Sequence, residues 1–164
     1  MKRTFIIGAA AVLLASCSSG KSAPAAAPVI HGPVGTLNSS LGQVLTDSAG
    51  ETIYRFAIDS PGHSACTGTC LQYWPPVPAP ASLPSSVEGV TAPLGSISRP
   101  DGTKQLTVGG YPVYTYASDK AAGDTTGQGL NLSGGLWWVI SPAGAEVTTS
   151  PSASTGGGGG YGGY

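Results

Sequence analysis

The residues best suited to covalent chemistry are Cys66 and Cys70, in "CTGTC", with His63 three positions before the pair. Three uses are open to them: a disulfide, a redox couple, or metal ligation. The chain has 3 cysteines. Cys17 ends an N-terminal apolar run and is read as a lipid attachment site. That leaves an even pair in an exported chain, which favours a structural bridge. A loop this short gains only roughly 2 kcal/mol from the cross-link on chain-entropy grounds, so its expected work is to fix the turn at Gly68 and aim Trp74-Pro75-Pro76. A redox couple calls for C-x-x-C at a helix start, where the dipole lowers the thiol pKa. Here the spacing is C-x-x-x-C, with no helical pattern around it. A metal site on Cys66, Cys70 and His63 lacks a fourth ligand, since His31 falls in a Pro-rich tether.

A second set of polar groups occurs twice. "IYRFAIDS" and "VYTYASDK" both read Tyr-x-aromatic-x-x-Asp, and Tyr54, Phe56 and Asp59 each recur 60 residues later as Tyr114, Tyr116 and Asp119. On a strand, alternate residues share a face, so each copy lays two rings on one side of a sheet. The Asp follows in "DSPG" or "DKAAG", where its side chain is suited to accept backbone N–H bonds and pin the loop. The motif is therefore read as architecture, with direct ligand or metal binding as the alternative.

Other candidates are fewer. The loop "SDKAAGDTTGQG" offers Asp119, Asp124 and Gln128 as oxygen ligands for Ca²⁺, although the full EF-hand spacing is absent; a surface loop held by its own Asp side chains is the plain alternative. Trp74, Trp137 and Trp138 would form a platform for sugar rings or peptide if exposed, and core if buried. Catalysis has little support. No Gly-x-Ser-x-Gly, His-Glu-x-x-His or phosphate loop is present, and Ser60 and Ser64 beside His63 do not make a triad by adjacency. No catalytic residue and no cofactor is assigned.

The elements that must position these residues are short. "GQVLTD" and "ETIYRFAI" flank the turn "DSAG"; "GSISR" and "KQLTV" flank "PDGT"; "GG" precedes "YPVYTYA"; "LWWVISP" closes the pattern. Alternating runs between turn signals predict an all-β fold of short antiparallel strands and hairpins. The repeat extends past the motif: "VLT…G" matches "QLT…GG" with one residue of slippage, and "LGQVLTDSAG" echoes "LGSISRPDG". One unit is expected twice, as repeat A at about 41–80 and repeat B at about 94–142, packed around a pseudo-twofold axis in one domain spanning 35–147. Two copies are too few for a solenoid.

The ends read differently. Lys2 and Arg3 precede "FIIGAAAVLLAS", an apolar run of signal-peptide length, and "LASC" resembles a bacterial lipobox. Residues 1–16 are expected to be removed and Cys17 acylated, holding the protein to the outer face of the cytoplasmic membrane, or to an outer membrane where there is one. Residues 17–34 read as a tether, and the Gly-rich 148–164 as a disordered tail. Without the signal segment, five Lys or Arg stand against eight Asp or Glu, a net charge near −3. With no basic patch, nucleic acid is not an expected partner; the membrane is, with cell-wall polymer or an envelope protein as further candidates.

Several of these stretches together resemble one family. "YRFAID" with "CTGTCLQYWPPV", then "RPDGTKQLTVGGYPVYTYASDKAAGDTTGQG" and "WWVISP", is similar to the bacterial secreted-repeat lipoproteins, over about 41–142. The resemblance implies a lipid-anchored envelope protein and carries over no catalytic residues. The expected function is a noncatalytic binding or structural module of the envelope. The alternative is a redox or metal-handling lipoprotein using Cys66, Cys70 and His63.

Overall fold

The computed structural model describes residues 29, 30 and 32–149. Cys17, His31 and the Gly-rich tail from residue 150 onward lie outside the described residues. Among the described residues there are nine short strands and one helical turn, joined by turns and loops: β1 (Val29–Ile30), β2 (Val34–Ser39), β3 (Gly42–Asp47), β4 (Tyr54–Phe56), α1 (Cys70–Tyr73), β5 (Leu94–Ser98), β6 (Lys104–Val108), β7 (Tyr111–Pro112), β8 (Asn131–Leu132) and β9 (Gly135–Val139). They form three antiparallel sheets of three strands, ordered β1-β2-β3, β4-β9-β8 and β5-β6-β7.

Each repeat opens on a hairpin. In repeat A, β2 and β3 pair with Leu37 opposite Val44. In repeat B, β5 and β6 pair with Ile97 opposite Gln105. The equivalent of "LGSIS" is thus "VGTLNS" in β2, and not "LGQVLTDSAG" as the sequence echo suggested. The slipped residue falls in the turn between the two strands, so β2 and β5 keep the 60-residue offset while β3 and β6 are offset by 61. The sheet also starts earlier than expected: Val29 and Ile30, within the stretch read as tether, pair with Thr36 and Gly35. At the far end, Gln128 Nε2 reaches the carbonyl of Thr149. The turn between β6 and β7 uses Gly109 and Gly110 at φ 59° and 86°. Two successive left-handed residues suit a two-residue turn whose twist matches its strands.

The two repeats exchange their closing segments. After its hairpin and Tyr strand, repeat A runs on through α1 to Trp74–Val77, and these residues lie beside repeat B: Thr115 N–H donates to Pro75 O and Val77 N–H to Val113 O, both at 3.0 Å. Repeat B returns the exchange, because β9 pairs with β4, Tyr54 opposite Val139 and Phe56 opposite Trp137. The matching goes down to single bonds. Leu45 N–H donates to Ile140 O at 2.9 Å, and Leu106 N–H to Val77 O at 2.8 Å. At the centre, Tyr54 and Tyr114 exchange both backbone bonds, at 2.8 and 3.0 Å. The pseudo-twofold axis passes between them.

Two packed clusters follow from this geometry. Aliphatic residues of the hairpins, including Val34, Leu45, Leu106 and Val108, form one. The rings of the doubled motif form the other, with the tryptophans of the exchanged segments. Strand alternation decides membership: Tyr54 and Phe56 are buried while Arg55 between them is half-buried. Arg55 instead lies over the Tyr111 ring at 3.3 Å and meets Glu146 at 3.2 Å.

Candidate functional site

The doubled motif forms a crossed pair of contacts. The Tyr54 hydroxyl of repeat A donates to Asp119 Oδ2 of repeat B at 2.7 Å. The Tyr114 hydroxyl of repeat B donates to Asp59 Oδ2 of repeat A at 2.8 Å. Each Asp also holds its own loop. Asp59 Oδ1 accepts from Ala65 N–H at 2.6 Å, and Asp119 Oδ1 accepts from the Thr126 N–H and hydroxyl at 3.0 and 2.5 Å. The sequence reading gave each Asp the loop; the bond to the other repeat's tyrosine was not visible in it.

Burial sets the electrostatics of the crossing. Desolvation pushes both tyrosine hydroxyls well above the ordinary phenol range, with Asp119 adding to the rise at Tyr54 and Asp59 at Tyr114. Both therefore stay neutral donors. Asp59, 7% exposed, is raised above the usual carboxylate value. Desolvation outweighs the lowering bonds from Ala65 and Tyr114.

The tryptophans correct an expectation. Trp74 and Trp137 are fully buried, so neither forms part of an exposed platform. Their rings stack on each other with centroids 3.8 Å apart and planes 2° apart, and Tyr116 and Phe56 extend the stack at either end, at 4.3 and 4.1 Å. The reason is the exchange of segments, which brings the Trp of each repeat to the axis. Trp138, next along β9, faces the other way and is half-buried.

Cys66 and Cys70 are bridged, with Cα atoms 5.4 Å apart. Both are buried against the aromatic cluster, and Cys70 opens the single turn α1 where no helix was expected. His63 is exposed, and its backbone pairs with that of Ser60. The bridged sulfurs and the outward imidazole do not make a common ligand set. The Ca²⁺ candidates also have separate duties. Asp119 takes Tyr54 and Thr126, Asp124 Oδ2 takes the N–H groups of Lys120 and Ala121, and Gln128 Oε1 takes Val139 N–H. Those backbone bonds hold the Asp124 carboxyl below its ordinary value. Among the described residues, no three His, Cys, Asp or Glu side chains gather closely enough to hold an ion.

One group escaped the sequence reading. Arg99, just past β5, is 8% exposed. Its Nη1 donates to Ser64 Oγ at 3.2 Å and to Gln105 Oε1 at 2.5 Å, and its Nη2 donates to Cys66 O at 3.0 Å. Gln105 is fully buried and spends its amide on Val113 O at 2.9 Å. A signal for this pair was available: aligning the copies with the slipped residue sets Gln105 against Val44 and Arg99 against Ser39. Beside Arg99 lies a cavity of about 520 Å³ between the 62–67 loop of repeat A and the 97–100 turn of repeat B.

A family model described as a secreted repeat of unknown function matches the chain twice, over residues 35–78 and 95–141. No curated protein and no solved structure matches it.

Proposed function

The chain belongs to the family of secreted repeats of unknown function, and on that premise we propose that it is a lipid-anchored envelope module that binds or supports rather than catalyses. The observation that carries this reading is the crossed Tyr–Asp pair. The most reactive-looking polar groups of the domain are spent joining one repeat to the other. The buried disulfide supports the same reading, since a redox couple needs a sulfur that a partner thiol can reach.

The anchor in this proposal is Cys17, at the end of the basic and apolar N-terminal segment. Two or three acyl chains hold a protein firmly at a bilayer, and a chain without a basic patch has no electrostatic substitute. The test is fractionation of the protein from its own host. Wild type is expected in the membrane fraction and Cys17→Ala in the soluble envelope or medium. Membrane retention of the variant would sink the anchor.

A further inference from the structure

We propose that the cavity beside Arg99 is a binding site for an organic carboxylate, received by the free edge of the Arg99 guanidinium. The inference rests on the reading of this domain as a binding module and is independent of the lipid anchor.

The first observation is a buried cation without a direct ion pair. Among the described residues, no carboxylate lies within ion-pair distance of Arg99. Asp101, two residues on, commits Oδ1 to the Thr103 N–H and hydroxyl. The guanidinium bonds neutral oxygens, with Asp101 acting on it only at longer range, although burying a charge without a direct partner is costly.

The second observation is which of its hydrogens remain. A guanidinium has five N–H donors in a fixed fork. Ser64 Oγ and Cys66 O are 3.2 Å apart, hydrogen-bonded to each other, and each takes one hydrogen from a different terminal nitrogen. They therefore cover the end of the fork, and Gln105 takes the other hydrogen of Nη1. This leaves Nε–H and the outer Nη2–H, which point the same way and match the two oxygens of a carboxylate. Among the described residues, Arg99 Nε is not one of the fully buried polar atoms left without a hydrogen bond, and Arg99 lines the cavity.

The third observation is the pseudo-symmetry, which supplies an internal control. The equivalent seam sets Leu37 of β2 against the 120–127 loop. It is closed there: a Cβ on Gly123 would lie 2.6 Å from Leu37 Cδ2. Leu37 is 4% exposed, whereas its counterpart Ile97 is half-buried and lines the cavity. The duplicated architecture thus packs this seam when it carries Leu37, Ser39 and Val44, and opens it where it carries Ile97, Arg99 and Gln105. Ile97, Pro100 and Ala65 give the cavity an apolar wall, and about 520 Å³ suits a small molecule with a carboxylate at one end. Lys104 Nζ, 3.5 Å from Ser98 Oγ at the lining, adds positive charge nearby.

The test uses the full-length ¹⁵N-labelled protein in detergent, titrated with benzoate and, separately, with its neutral counterpart benzamide. Benzoate is expected to shift the amides of Ser64, Ala65 and Arg99 saturably, and benzamide at equal concentration to leave them in place. Arg99→Lys, which keeps the charge and loses the fork, should weaken benzoate by about tenfold or more. If that variant does not fold, Thr67→Trp decides, because Thr67 is exposed at the lining and a large ring there takes up room in the cavity while Arg99 itself is unchanged. Equal shifts from both probes, no saturation with benzoate, or unchanged benzoate affinity in a folded variant would overturn the proposal. A failed titration with Cys17→Ala still leaving the membrane removes the carboxylate and not the anchored module.

Discussion

The two motif aspartates look equivalent, yet they should respond differently to loss of charge. An Asp→Asn change keeps the side-chain shape and turns one oxygen from an acceptor into a donor. In the Asp59→Asn variant the new amide faces the Tyr114 hydroxyl, whose own hydrogen must find another acceptor. One is in place: Ser64 Oγ lies 2.7 Å away. The Ser64 hydrogen can turn to Cys66 O at 3.2 Å, so the relay closes without an orphan. In the Asp119→Asn variant the Tyr54 hydroxyl already accepts from Gly127 N–H at 3.2 Å, and among the described residues Asp119 is the one acceptor it bonds. Its hydrogen is stranded in the core. A buried donor left unsatisfied costs about 1–3 kcal/mol, so Asp119→Asn should lose that much while Asp59→Asn stays within about 1 kcal/mol of wild type. The pH dependence has a definite sign. Because burial raises the folded pKa of Asp59, its protonated form is favoured by folding, and this contribution is present below the unfolded value and lost as pH rises through the folded one. Asp59→Asn should therefore compare best with wild type at neutral pH and less well as pH falls toward the ordinary carboxylate range. Urea unfolding followed by tryptophan fluorescence, at neutral and mildly acidic pH, reads both effects. Equal losses in the two variants at neutral pH would refute the relay through Ser64.

Phe56→Ala should cost roughly 3–5 kcal/mol in the same urea assay, more than either Asp change, because it opens a cavity beside the Trp137 ring stacked on it. Removing the bridge with Cys70→Ala should cost about 2 kcal/mol, and alkylation of the native wild-type domain should find neither Cys66 nor Cys70 reactive until it is reduced and unfolded. Gly127→Ala should lose about 1–3 kcal/mol and alter the tryptophan emission, since its new Cβ would lie 2.8 Å from Trp74 Cη2 and 2.9 Å from Tyr54 Cε1.

What was legible in the sequence was whatever depended on local pattern. Period-two alternation between Gly- and Pro-rich turns marked the strands, and the 60-residue offset of Tyr54 and Tyr114 marked the duplication. Turn chemistry marked the Asp side chains as loop anchors. The exchange of segments was not legible, because nothing local to Trp74–Val77 says whether it returns to its own repeat or crosses to the other. That one undetermined choice accounts for two errors of reading. It left the tryptophans free to be surface residues, and it hid the acceptors of the Tyr54 and Tyr114 hydroxyls. Arg99 was missed for a different reason. A single arginine before a Pro-Asp-Gly turn reads as solvated, and only its buried partner Gln105, set against Val44 of the other copy, distinguishes it.

Duplication also bears on where a ligand can be accommodated. A pseudo-twofold core ties the halves together through paired contacts, and a change at the axis is felt by both: Trp74 meets Trp137, and Tyr54 bonds Tyr114 through the backbone. Positions away from the axis lack that constraint. A substitution at the seam on one side leaves its counterpart packed, so one seam can open while the other continues to hold the hairpin against its loop. The division follows in the residues. The motif tyrosines and aspartates are kept in both copies, whereas Leu37, Ser39 and Val44 are replaced by Ile97, Arg99 and Gln105. Specific chemistry in such a fold belongs where the copies differ, and Ile97 and Arg99, which differ from Leu37 and Ser39, line the cavity.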